Sequence, residues 1–115
     1  MAENLLSRVY KPVNGAAELA TGDATKTVIA GIAAKIHCIT ACFVSVLTSA
    51  AQTVTVSSTD GTVILAKLPA SPGVTQFNVD LPSRGVDLPV GDGLVITPAA
   101  AGPGVFVRAA GVTKG

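Results

Sequence analysis

Residues 36–59 contain no Asp, Glu, Lys or Arg. A neutral run of this length folds into a membrane-spanning helix or into strands whose faces are both covered. The wider stretch 28–51 is apolar enough to raise the first option, but Lys35 and His37 interrupt it. What remains, 36–51, is shorter than the ~20 apolar residues a helix needs to cross a bilayer. It is also rich in Val, Ile and Thr, whose branched or compact side chains suit a pleated strand better than a helix. The reading is therefore a long strand over 33–48, apolar on both faces. Such a strand lies at the centre of a sandwich, or turns one face to a neighbouring subunit.

The rest of the chain repeats short β-prone runs between turn signals. Strands are expected at 26–30, 53–57, 62–68, 76–81, 86–90, 94–97 and 105–109. In the second run Val54 and Val56 point one way, and Thr53, Thr55 and Ser57 the other. In the fourth, Phe77, Val79 and Leu81 face inward, and Gln76, Asn78 and Asp80 outward. Asp60-Gly61 between two runs predicts a tight hairpin with positive φ at both central residues. Pro69, Pro72-Gly73, Pro82 to Gly85 and Gly91-Asp92-Gly93 mark further turns. About eight short strands at this spacing predict an all-β, antiparallel β-sandwich, jelly-roll-like. The domain is expected over residues 15–115, preceded by an arm over 1–14.

A chain of 115 residues suits one core. With no Trp, three Phe and one Tyr, that core must be aliphatic. Charged residues make up 13%, about half the usual share. A free monomer uses surface charge for solubility and to guard its sheet edges, so this chain reads as a subunit covered by partners. The charge-free span predicts a homo-oligomer, a trimer ahead of a dimer. Net charge is +1 with no basic run, so no nucleic-acid partner is expected. Residues 1–11 hold no apolar run long enough for a signal peptide. Cys38 and Cys42, on one face of a strand roughly 13 Å apart, cannot pair and read as buried free thiols.

Motifs of chemistry are sparse. His37 is the lone histidine, and nothing marks a nucleophile or carboxylate as its partner. Asp87 and Asp92 are too few for a calcium site, which needs six to eight oxygens, and read as turn formers. Gly102-Pro103-Gly104 lacks the Lys and Ser/Thr of a phosphate loop. The expectation is no enzyme, with no catalytic, cofactor-binding or metal-ligating residue. The candidate contact residues are Leu5, Leu6, Arg8, Val9, Tyr10 and Lys11. These apolar and basic residues precede the first strong strand signal and suit an arm that orders on a neighbour; the alternative is an edge strand of the same domain.

Several segments together resemble a pattern of small tailed-phage structural proteins. They are Thr27-Val28-Ile29-Ala30-Gly31, Ala34 to Ile39, Thr53-Val54-Thr55-Val56, Asp60-Gly61, Leu81-Pro82 and Val86 to Leu94. The resemblance spans about residues 8–107 and rests on turn chemistry. It implies a non-enzymatic capsid decoration (cement) protein on the virion exterior, assembled in the bacterial host cytoplasm, with the major capsid protein as partner and no membrane association. The alternative is a carbohydrate- or receptor-binding sandwich module of a head fibre or tail.

Overall fold

Nine strands form in a computed structural model that describes residues 10–19, 25–99 and 104–114. They are β1 (Tyr10–Leu19), β2 (Lys26–Ile29), β3 (Ile36–Thr48), β4 (Gln52–Ser58), β5 (Ile64–Ala70), β6 (Gly73–Asn78), β7 (Val86–Asp87), β8 (Leu94–Pro98) and β9 (Gly104–Lys114). All pairings are antiparallel. The first sheet runs β1-β9-β3-β6, with β7 also on β3, and the second runs β2-β8-β4-β5. Apart from the two-residue β7, the strands form four nested pairs around the β4–β5 hairpin: β1 with β9, β2 with β8, β3 with β6, β4 with β5. That ribbon, rolled into two layers, is a jelly roll. Among the described residues no helix is long and apolar enough to cross a membrane.

The core between the sheets is aliphatic, as the lack of aromatics requires. Ile39, Val44 and Val46 of β3 and Val107 of β9 meet Val54 and Val56 of β4 and Leu94 and Ile96 of β8. Each such side chain, buried completely, contributes about 1.5–3 kcal/mol. Phe77, Val79 and Leu81 pack against this core, while Gln76, Asn78 and Asp80 are exposed, as their alternation predicts.

β3 departs from simple alternation. Its register with β9 shifts between Ile39, opposite Gly111, and Ala41, opposite Ala110. Thr40 is thus the extra residue of a β-bulge, and the inward positions switch from odd to even numbers across it. Ile39 belongs to the core before the bulge, and Cys42, Val44 and Val46 after it. Cys38 and Cys42 therefore do not share a face. His37, which strict alternation would point away from both, shares the inward side with Cys42.

Two turns also differ from expectation. Gly61 has φ 79°, but Asp60 is not left-handed. The Gly61 N–H donates to the Ser58 carbonyl (3.0 Å), and the Ser58 N–H to that of Val63 (2.8 Å). The hairpin is therefore a wider loop closed by a glycine. The reason is Asp60 itself. Its carboxylate accepts from Ser58 Oγ (2.8 Å), the Thr62 N–H (3.0 Å) and Thr62 Oγ1 (2.7 Å). The strand expected at 86–90 shrinks to Val86–Asp87: the Leu88 N–H still donates to the His37 carbonyl in register, but Pro89 has no N–H to extend the ladder, and its carbonyl accepts from the Asp92 N–H in a turn.

The Thr62 and Ser58 donors hold the Asp60 pKa at about 2, against 3.8 ordinarily. A carboxyl depressed on folding adds stability above its unfolded pKa, and that increment fades as pH falls through the folded value. Asp60→Asn is expected to melt below the native protein by a constant margin at neutral pH, and the margin should close between about pH 4 and pH 2. Parallel melting curves showing a margin independent of pH would contradict this.

Residues 10–14, assigned to the arm, are the first half of β1. Asn14-Gly15, a dipeptide that favours turns, lies mid-strand, opposite Ala110 and Ala109. Gly15 serves a close approach: a Cβ there would collide with the Val28 carbonyl oxygen of β2 and lie 2.9 Å from Ile29 Cγ1. Pro12 is tolerated because β1 is an edge strand. The same reason lets β5, the edge of the second sheet, run through Pro69, where a loop is expected.

Candidate contact face

The outer face of the first sheet is assembled from four strands that are distant in sequence. Val44, Val46, Val105, Val107 and Ala109 point into the core, so their neighbours point out. The register places them in rows. Glu18 of β1, Phe106 of β9, Ser45 of β3 and Gln76 of β6 form one; Ala16, Arg108, Phe43 and Asn78 form the next. Beyond the first row lie Leu47 and Val74, paired with each other and 58% and 66% exposed. Beyond the second lie Asn14, Ala110 and Ala41. In these rows Glu18 and Arg108 are the sole charges, and neither takes part in an ion pair or hydrogen bond among the described residues. The small side chains of Ala16, Ala41 and Ala110, rimmed by Asn14, Asn78, Phe43 and Arg108, form an open depression of about 760 Å³.

The outer face of the second sheet is hydroxylic around one base, the exposed Lys67 of β5, which stands opposite Thr55. Thr55 stands opposite Thr97, and Thr25 Oγ1 donates to Thr97 Oγ1 (3.3 Å). Thr53 is exposed and Thr55 half-buried, as expected. Ser57 is buried, and its hydroxyl donates to the Ser58 carbonyl (3.0 Å).

His37 is buried and fully engaged. Nε2 lies 2.9 Å from the Ala30 carbonyl oxygen. A carbonyl only accepts, so Nε2 carries the proton, and Nδ1 meets Thr113 Oγ1 at 2.8 Å. The ring ties the end of β2 to β9 across the sandwich. Asp87 pairs with Lys114 (2.8 Å), which holds its carboxyl below the ordinary range. Asp92 accepts from the Asp60 N–H (3.0 Å), and the Gly93 N–H donates to Thr59 Oγ1 (3.0 Å). The two aspartates thus serve separate structural tasks, and among the described residues no three metal-ligating side chains converge.

Both cysteines are buried free thiols. Burial pushes the Cys42 thiol up to about 11. Burial, then the Asp87 carboxylate, raises Cys38, whose Sγ donates to the Arg84 carbonyl (3.2 Å). The thiolate is the reactive form, so neither cysteine should react with a disulfide reagent at pH 8 until denaturant is added. Prompt labelling of one thiol in the native protein would show that this packing opens. Cys42→Ala should cost roughly 1 kcal/mol in a urea melt.

Of the contact residues expected from sequence, Leu5, Leu6, Arg8 and Val9 lie outside the described residues. Tyr10 begins β1 opposite Lys114, and Lys11 is exposed opposite Thr113. The sequence reading did not find Glu18, Leu47, Val74, Phe106 and Arg108. The signal for Leu47 was its parity with Phe43 and Ser45, hidden by the uniform apolarity of β3.

Fold and site together define a jelly-roll β-sandwich whose outer faces are almost neutral. No family model matches the chain, and no curated protein matches it. Among solved structures it is similar to the capsular polysaccharide assembling protein CapF from Staphylococcus aureus, at 17% identity and a TM-score of 0.28. That match covers 84% of this chain, which spans 27% of the CapF chain.

Proposed function

We propose that this protein is a non-enzymatic structural subunit of a virion, a decoration protein that binds between major capsid subunits on the exterior of a phage head. The observation that carries this reading is the chemistry of the sandwich faces. Besides the Asp87–Lys114 ion pair, the first sheet offers apolar and amide side chains with one acid and one base, and the second a hydroxyl array around Lys67. Neutral hydrogen-bonding groups can be covered by protein without the cost of desolvating unpaired charge. A subunit held in a shell must be covered on more than one side, and both faces suit that. The resemblance of the turn pattern to small tailed-phage structural proteins points the same way.

The test is stoichiometry in purified particles. A decoration protein is present at a copy number near that of the major capsid protein, and particles lacking it should lose their genome at lower temperature. A few copies per particle would favour a fibre or tail part, and absence from particles would overturn the proposal. One observation favours the binding-module alternative: the open depression brings Asn14, Asn78, Arg108 and the Phe43 ring together, groups that can hydrogen-bond and stack on a sugar. Retention on a glycan array, lost in Phe43→Ala, would support that reading.

A further inference from the structure

We infer that the outer face of the first sheet pairs with the same face of a second copy of this chain about a twofold axis. The inference stands on this face alone, whatever larger particle the protein serves. A twofold contact requires a self-complementary surface: whatever faces a charge must be its opposite, and whatever lies on the axis must tolerate itself. This face meets both conditions. Glu18 lies opposite Phe106 and Arg108 opposite Ala16, so the two charges sit diagonally across the β1–β9 ladder. A twofold axis in the plane of the face that bisects the line between them sets each Glu18 against the other copy's Arg108, twice per dimer.

The position of that axis is then determined. On a ladder with ~4.8 Å between strands and ~3.3 Å per residue, it runs diagonally across the sheet and passes close to Phe106 and Val74. Phe106 is half-buried and Val74 is 66% exposed. Each would meet its own copy, with Leu47 beside them. The charges thus fall off the axis, in matched pairs, and the apolar residues on it. The axis runs near the end of the sheet where β1 stops at Leu19 and β9 begins at Gly104, so the two copies overlap over the part of the face nearest that end. The result is a dimer, in place of the trimer expected from the charge-free span: one acid and one base satisfy each other under a twofold axis.

The test uses the full chain with charge reversals on this face. The native protein should show twice the chain mass by light scattering at about 100 µM. Glu18→Arg leaves the face with two positive charges and Arg108→Glu leaves it with two negative ones. Each variant alone should associate about 100-fold more weakly, because like charges then meet across the axis. An equimolar mixture of the two should restore the dimer as a heterodimer. Both positions are exposed, so circular dichroism and melting temperature should stay native. A monomeric or trimeric native protein would overturn the inference. So would reversal variants that dimerise as the native protein does, or a mixture that stays monomeric. Copy number in particles is read separately, so this inference and the decoration proposal can fail independently.

Discussion

Deleting Thr40 is expected to abolish cooperative folding. Thr40 is the residue by which β3 exceeds β9 at the bulge. Removing it restores strict alternation through β3. Then either Ile39 and the buried His37, or Cys42, Val44 and Val46, must turn outward. The second set alone places two completely buried valines in water at about 1.5–3 kcal/mol each, and opens a matching cavity between the sheets. The His37 alternative breaks the contacts to Ala30 and Thr113. Either loss is comparable with the whole stability of a small domain, ~5–15 kcal/mol. Thr40→Ala keeps the residue count and removes only an exposed hydroxyl that donates to the Ala110 carbonyl (3.3 Å). It should melt within a few degrees of the native protein. A deletion variant with a sharp, near-native melting transition would show that β3 can slip without reversing its faces.

Gly111→Val is expected to be nearly as damaging. Gly111 faces Ile39 across the β3–β9 ladder, beside the bulge. A Cβ there would collide with the Cys38 carbonyl oxygen and lie 2.9 Å from that carbonyl carbon and 3.0 Å from Ile39 Cα. These are backbone atoms of the central strand, which cannot move aside as a long side chain would. The strands must separate, so the cost should reach at least about 3 kcal/mol, a fall of more than about 10 °C in Tm. Gly104→Ala is the control: it lies in the same strand, and a Cβ there meets nothing within 4 Å. Its Tm should match that of the native protein. Equal effects of the two substitutions would mean that strand propensity governs β9, and not the close approach to β3.

Both effects centre on the region where reading the sequence was least informative. Alternation was legible in β4 and β6 because one face of each is polar: Thr53 against Val54, Gln76 against Phe77. In β3 Phe43, Val44, Ser45, Val46 and Leu47 offer nearly uniform apolarity, so no pattern distinguishes inside from outside. Only the pairing with β9 does, and it is that pairing which inserts the bulge. β1 was obscured for the opposite reason. Pro12 and Asn14-Gly15 are strong local turn signals. They are overridden because an edge strand tolerates the proline, and because β2 packs so close that only glycine fits at position 15.

The chain by itself determined the all-β class, the aliphatic core and most of the turns, because hydrophobic periodicity and turn chemistry are local properties of a few adjacent residues. The tertiary structure alone decided the contact face. Glu18, Leu47, Val74, Phe106 and Arg108 come from four strands and become neighbours only when β9 inserts between β1 and β3. A pairing between segments some ninety residues apart is selected by the whole sandwich closing over one core, and no local preference of either segment encodes it.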